Sequence, residues 1–219
     1  MITSDLVRLK IASYDKGGKL VDFCEDFLDH AGIEYAEPKE HSERVAILAE
    51  AIAERTDHDP EKAFFHGLLH DVGKTKLPPP LFDGHNFNSE DEYTLVKTHA
   101  QVGFRTLENI DLPAALCAGL HHNVCSNGYG IPMEWIPASW SSGYIEDLLE
   151  MTTIVSISDF TSASTRKTKL HDGCQYGCDL KSILYGKFFH AHNFVDVAIE
   201  CLQAIFPLQA ETILNRKFE

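Results

Sequence analysis

His70 and Asp71 stand side by side behind the apolar run Phe64-Phe65-His66-Gly67-Leu68-Leu69, with Gly73, Lys74 and Pro78 following. Imidazole and carboxylate together suit iron, manganese, nickel or zinc. Adjacent residues of a helix do not share a face. Such a pair therefore converges on one centre only near a helix end, where the aspartate can set one oxygen on each of two ions. His41, His99, the pair His121-His122 and Asp159 offer the same donor types. Each lies in or at the end of an expected helix with apolar neighbours, so each is expected to point inward. A single histidine of this kind is more often a hydrogen-bonded core residue. The ordered series favours a shared metal centre.

The elements that must position these residues read as helices. Leu20, Val21, Phe23, Phe27 and Leu28 form an i, i+3, i+4, i+7 stripe within Gly18 to His30, and Gly32 reads as its stop. Pro38 predicts the start of the next helix, through Val45, Ile47, Leu48 and Ile52. Asp59-Pro60-Glu61 signals another start. Three prolines and Asp83-Gly84 break the chain between Leu77 and Asn88, a segment that could close over a site as a lid. Helices are then expected from about Ser89 to Asn109, from Pro113 to His122 and from Ile145 to Ala163, with a closing pair between Lys181 and Phe206. No useful alternating strand pattern occurs, so the fold class is all-α.

The chain has 219 residues, with a formal net charge of −14 and 12 histidines. That length suits one domain with a small N-terminal extension. Such acidity argues against a nucleic acid polymer as partner, but bound metal ions invert the local charge and admit a small phosphorylated ligand. No apolar stretch approaches the ~20 residues of a membrane span. Met1 to Lys10 has no apolar signal core, so a cytoplasmic location with reduced thiols is expected for the six cysteines. Cys174 and Cys178 are candidates for a metal or redox pair, although no second pair accompanies them.

The order H…HD…H…HH…D resembles the HD superfamily of metal-dependent phosphohydrolases, and more closely its HD-GYP branch. The carrying pieces are His41-Ser42-Glu43-Arg44-Val45-Ala46, Leu69-His70-Asp71-Val72-Gly73-Lys74, His99-Ala100-Gln101-Val102-Gly103, His121-His122 and Ile157-Ser158-Asp159. The resemblance implies an HD-domain helical bundle around a buried metal site, with residues 1–36 as a helical extension and 37–219 as the phosphohydrolase domain. It implies one ion held by His41, His70, Asp71 and Asp159, and another held by Asp71, His99, His121 and His122. A hydroxide bridging the ions would attack a phosphodiester of a cyclic dinucleotide such as cyclic di-GMP. Lys74, and Arg44 one turn from His41, would contact phosphoryl oxygens. For Arg44 a helix-surface salt bridge is an equal alternative. Glu37, four residues before His41, is a candidate ligand of a third ion.

The chain departs from the branch's pattern at several positions. Asn123 stands where the branch has glutamate, Gly130-Ile131-Pro132 replaces Gly-Tyr-Pro, Ala100 replaces proline and Ser162 replaces an aspartate. These departures bear on the substrate more than on the metal. A hydrolase of another nucleotide or phosphomonoester, a catalytically weak nucleotide-binding signalling module and a di-iron oxygenase remain as alternatives. Tyr129, Trp135 and Trp140 could stack on a base, cover the core or form the face of a homodimer. His66 reads as a packing residue, and His30, His58, His85, His171, His190 and His192 fit no ligand pattern.

Overall fold

The computed structural model describes residues 4–14, 18–82, 89–164 and 179–214. These form eleven α-helices with short 3₁₀ turns and no strand. The helices are α1 (Ser4–Tyr14), α2 (Lys19–Glu34), α3 (Ala36–Arg55), α4 (Pro60–Leu69), α5 (Glu90–Lys97), α6 (His99–Leu107), α7 (Leu112–Leu120), α8 (Ser142–Ser164), α9 (Leu180–Lys187), α10 (His192–Ile205) and α11 (Pro207–Leu214). The expected all-α fold is the fold observed. No described helix is long and apolar enough to cross a membrane.

Side-chain caps set several helix starts. Asp59 accepts from Lys62 N at 3.1 Å, Ser89 from Glu92 N at 3.2 Å and Asp111 from Ala114 N at 2.8 Å. Each such cap contributes about 1 kcal/mol by satisfying a donor that no helical carbonyl reaches.

The apolar interior forms two clusters. In one, Leu48 and Ile52 of α3 and Ile154 and Val155 of α8 meet Leu184, Val195 and Leu202 of the C-terminal helices. In the other, Val7 and Ile11 of α1 and Phe27 and Leu28 of α2 pack with Phe64, Leu68, Leu107 and Leu116. Helix α3 serves both, with Val45 and Leu48 in the first and Ala46 and Ile47 in the second. It is buried along most of its length, as a central helix must be.

Several boundaries differ from the sequence reading. α2 runs on through Gly32 to Glu34. α3 begins at Ala36 and takes Pro38 into its first turn, where proline's missing N–H costs nothing. The helix expected from Ser89 to Asn109 is two helices. Thr98 separates them, its hydroxyl bonding Leu95 O at 2.6 Å and its N–H bonding the same oxygen at 3.1 Å. A threonine hydroxyl that competes for a main-chain carbonyl tightens the turn and lets the axis change. The expected closing pair is α9 and α10, and α11 follows them. Asp83, Gly84, His85, His171, Cys174 and Cys178 lie outside the described residues, so the lid and the cysteine pair are not placed.

Candidate metal centre

Helix ends deliver most of the donors. His70 caps the end of α4, and Asp71 follows it at the head of a 3₁₀ turn, Val72–Lys76. His99 is the first residue of α6, and His121 caps α7 with His122 next to it. His41 and Asp159 come from the interiors of α3 and α8. Gly73 makes the convergence possible. A Cβ there would meet His99 O at 2.0 Å and Gly103 N at 2.6 Å, so only glycine lets the turn after Asp71 lie against α6.

The donors fall into two groups that share Asp71. One holds His41, His70, Asp71 and Asp159, and the other Asp71, His99, His121 and His122. Asp71 Oδ2 lies 3.2 Å from His70 Nε2 and 3.7 Å from His41 Nε2. Its Oδ1 lies 3.2 Å from His99 Nε2 and 3.8 Å from His121 Nε2. Asp159 Oδ1 is 2.9 Å from His41 Nε2 and 3.7 Å from His70 Nε2, and its Oδ2 is 4.0 Å from His122 Nδ1. Donors about 2.1 Å from one ion stand roughly 3 to 3.5 Å from each other, so the spacing fits first-row divalent ions.

The hydrogen bonds bear on the same fit. The Nδ1 atoms of His70, His99 and His121 face the carbonyls of Gly67, Val96 and Ala118 at 2.7, 2.7 and 2.9 Å. A carbonyl only accepts, so each Nδ1 carries the proton and each Nε2 is turned inward. Those three Nε2 atoms and Asp71 Oδ1 are buried without a hydrogen-bond partner. Orphaned buried polar atoms each cost about 1–3 kcal/mol. Four around one point fit a group that takes their lone pairs.

The carboxylates and imidazoles titrate against one another. Burial alone would raise Asp71, but Lys74 and His70 hold it well below the carboxylate range. Asp159 is likewise raised by burial and lowered more strongly by His41 and His70. Burial would lower His70, yet Asp71 and Asp159 lift it to about 9. Burial dominates at His121, lowered to about 3, and at His122, which lies well below its ordinary value.

The other candidates are placed as follows. Lys74 bonds Asp71 Oδ2 and is neither buried nor part of a donor group. Arg44 carries the salt bridge that stood as the alternative, to Glu40 at 2.7 Å, and its Nε donates to Ser162 Oγ at 3.2 Å. Glu37 lies in the first turn of α3, outside both groups. His66 is a buried residue of α4, as a packing histidine should be. Trp135 packs on Phe104 and Trp140 on Tyr144, whereas Tyr129 stacks on the His122 ring at 4.4 Å.

Two contributors escaped the sequence reading. Ser162 Oγ lies 3.0 Å from His41 Nδ1 and orients that ring. Its signal was its spacing, since three residues after Asp159 is one turn along the same face. Asn123 donates to Ile131 O at 3.0 Å, and Ile131 N–H bonds Gly119 O at 3.0 Å, which closes the loop carrying Tyr129.

The HD domain family model matches residues 39–163, more than half the chain. A cyclic di-GMP phosphodiesterase of Pseudomonas aeruginosa is 35% identical over 97 residues, covering 42% of this chain and 23% of its own length. The HD domain of phosphodiesterase PgpH from L. monocytogenes superposes with a TM-score of 0.50 at 17% identity, over 86% of this chain and 93% of that one. A second structure of that domain, in complex with cyclic di-AMP, aligns equally well over 86% of this chain and 92% of that one. At that identity the likeness is one of fold.

Proposed function

We propose that this chain, which belongs to the HD domain family, is a metal-dependent phosphodiesterase acting on a small nucleotide through two ions bridged by Asp71. The carrying observation is that the two oxygens of Asp71 face separate donor sets, His41–His70–Asp159 and His99–His121–His122. When bound, the ions supply an acidified water and offset phosphate charge. The protein does the rest. His41, His70, His99 and His121 are buried and fixed in orientation, so the centre needs little rearrangement to accept its ions. His122 and Asp159 keep partial exposure, at 23% and 13% of their side chains, and mark the side from which substrate arrives. Lys74 is tethered to Asp71 Oδ2 beside the centre, where its ammonium can pass to a phosphoryl oxygen. Arg44, engaged by Glu40 and Ser162, acts on His41 and not on substrate.

We assign the substrate to the cyclic dinucleotides and the chain to the HD-GYP branch. The curated relative's name supports this reading, and so does Tyr129, whose ring lines the exposed side on His122. Residues 37–219 form the catalytic unit in this reading, with α1 and α2 as its extension. The test is a metal analysis with a hydrolysis panel of cyclic di-GMP, cyclic di-AMP, linear dinucleotide, mononucleotides and a chromogenic phosphodiester. Turnover of a cyclic dinucleotide, lost on chelation, is expected. Turnover of monophosphates alone would move the chain to the phosphomonoester alternative, and oxygen uptake would make it an oxygenase.

A further inference from the structure

The half-open side of the metal centre carries a cation that belongs to neither donor group. Lys97 ends α5, two residues before His99. Its Nζ lies 4.0 Å from the ring centre of Tyr93, one turn back on the same helix, and 5.5 Å from the ring centre of Tyr129. Tyr129 in turn stacks on His122 at 4.4 Å and meets His99 edge-on at 6.1 Å. The ammonium therefore stands one ring away from two members of the donor set, on the side where His122 and Asp159 keep partial exposure.

Pairing separates Lys97 from most other lysines. Lys10, Lys39, Lys62 and Lys181 each reach a carboxylate, on Glu50, Glu43, Asp59 and Asp196. Lys97 meets two rings and, among the described residues, no carboxylate, in a chain of net charge −14. A ring quadrupole attracts an ammonium but leaves its charge whole, whereas a carboxylate would offset it. A half-buried lysine held on two tyrosines is thus a positioned point charge on a flexible stem. The other cations near the centre are placed differently. Lys74 is tethered to Asp71 beside the ions, Arg44 is engaged by Glu40 and Ser162, and Lys187 stands 5.1 Å over Phe160 on the Asp159 side.

A cyclic dinucleotide brings two phosphodiesters, and the ions take one. The other carries its charge into an acidic protein and needs a cation one nucleotide away from the ions. We propose that Lys97 binds this second phosphate and so selects dinucleotides over substrates with a single phosphate. Tyr93 is a positioning residue, because its ring holds the ammonium in place before substrate arrives. The inference rests on the phosphodiesterase reading for its substrate. It assigns no base, since a phosphate contact is the same for guanine and adenine.

The test uses the full metal-loaded chain with cyclic di-GMP, cyclic di-AMP and a chromogenic phosphodiester that has one phosphate. Lys97→Met keeps the stem and removes the charge. It should lower the ratio of dinucleotide to chromogenic kcat/KM about tenfold, through the KM of the dinucleotide. Lys97→Arg should return the ratio to within about twofold of the unaltered chain. Lys187→Met should leave the ratio where it is. Equal losses on both kinds of substrate, or an equal fall in Lys187→Met, would overturn the proposal, because any cation at the mouth would then serve. Loss of metal in Lys97→Met would overturn it too, by making the lysine part of the centre's assembly through His99. Calorimetry separates this inference from the reading beneath it. Dinucleotide binding that weakens about tenfold in Lys97→Met, in a chain that hydrolyses nothing, would remove the phosphodiesterase reading and uphold Lys97. Hydrolysis with dinucleotide affinity unchanged in Lys97→Met would do the reverse.

Discussion

The two halves of the metal centre are built by different means. Around His41, His70 and Asp159, oxygens from two carboxylates meet two imidazoles. Two of those three residues come from helix interiors, and His41 is oriented by Ser162, a side chain 121 residues away in sequence. Around His99, His121 and His122, three imidazoles meet one carboxylate oxygen. There His99 and His121 are each anchored to the carbonyl three residues back, and His122 rests on Tyr129. The first half depends on how α3 packs against α8. The second depends on where helices stop. Charge divides them as well: carboxylates lift His70 to about 9, whereas burial drops His121 to about 3. His121 and His122 therefore keep their ligand nitrogens free of protons far into acid, while His70 must release one to take a cation.

Asp71 is the one residue common to both halves, so its loss should have the largest effect. Asp71→Ala should abolish hydrolysis and strip most of both ions. Full metal content by elemental analysis would refute the shared-ligand reading. Next come changes confined to one half. His41→Ala and His122→Ala should each lower the metal stoichiometry by about one ion per chain while the other half still loads. Joint loss of both ions in either variant would show that the halves do not bind independently. Lys74→Ala should retain metal and lower turnover by roughly 10- to 100-fold, the worth of a charge-assisted contact in the transition state. Loss of metal in that variant would make the lysine part of the centre's assembly.

The contrast between the halves also explains what was legible in the sequence. His70 and His121 could be placed because their helices have legible starts: Asp59-Pro60-Glu61 opens α4 and Pro113 lies in the first turn of α7, and each histidine falls where the apolar run behind that start gives out. The Thr98 break was not legible, because a threonine amid a helical pattern gives no sign of which carbonyl its hydroxyl will take. The role of Ser162 was not legible for a related reason. Its partners, His41 and Arg44, lie across the α3–α8 contact, and a serine where the family resemblance leads one to expect aspartate reads as a loss until His41 Nδ1 is seen facing it.

A pH titration sharpens the division of charge. In metal-free protein His70 is raised, so its contribution to stability is fully present below its ordinary value near 6.5 and is lost as pH rises through about 9. The unfolding temperature of chelated protein should fall by several degrees across that window. With metal bound, His70 Nε2 carries no proton to lose, and the fall should vanish. A slope that persists unchanged in the loaded protein would place His70 outside the coordination sphere.

The smallest expected effect tests the tertiary half alone. Ser162→Ala removes the partner that holds His41 Nδ1 while leaving every donor atom in place. Second-layer contacts of this kind are worth about tenfold in metal affinity. A dye-competition titration should therefore show one of two binding steps weakened by about that factor, with the step assigned through His122→Ala unchanged. If both steps weaken equally, the orientation of His41 is felt across Asp71, and the halves act as one rigid cluster. If neither moves, α3 packing alone fixes His41, and the hydroxyl of Ser162 serves Arg44 instead.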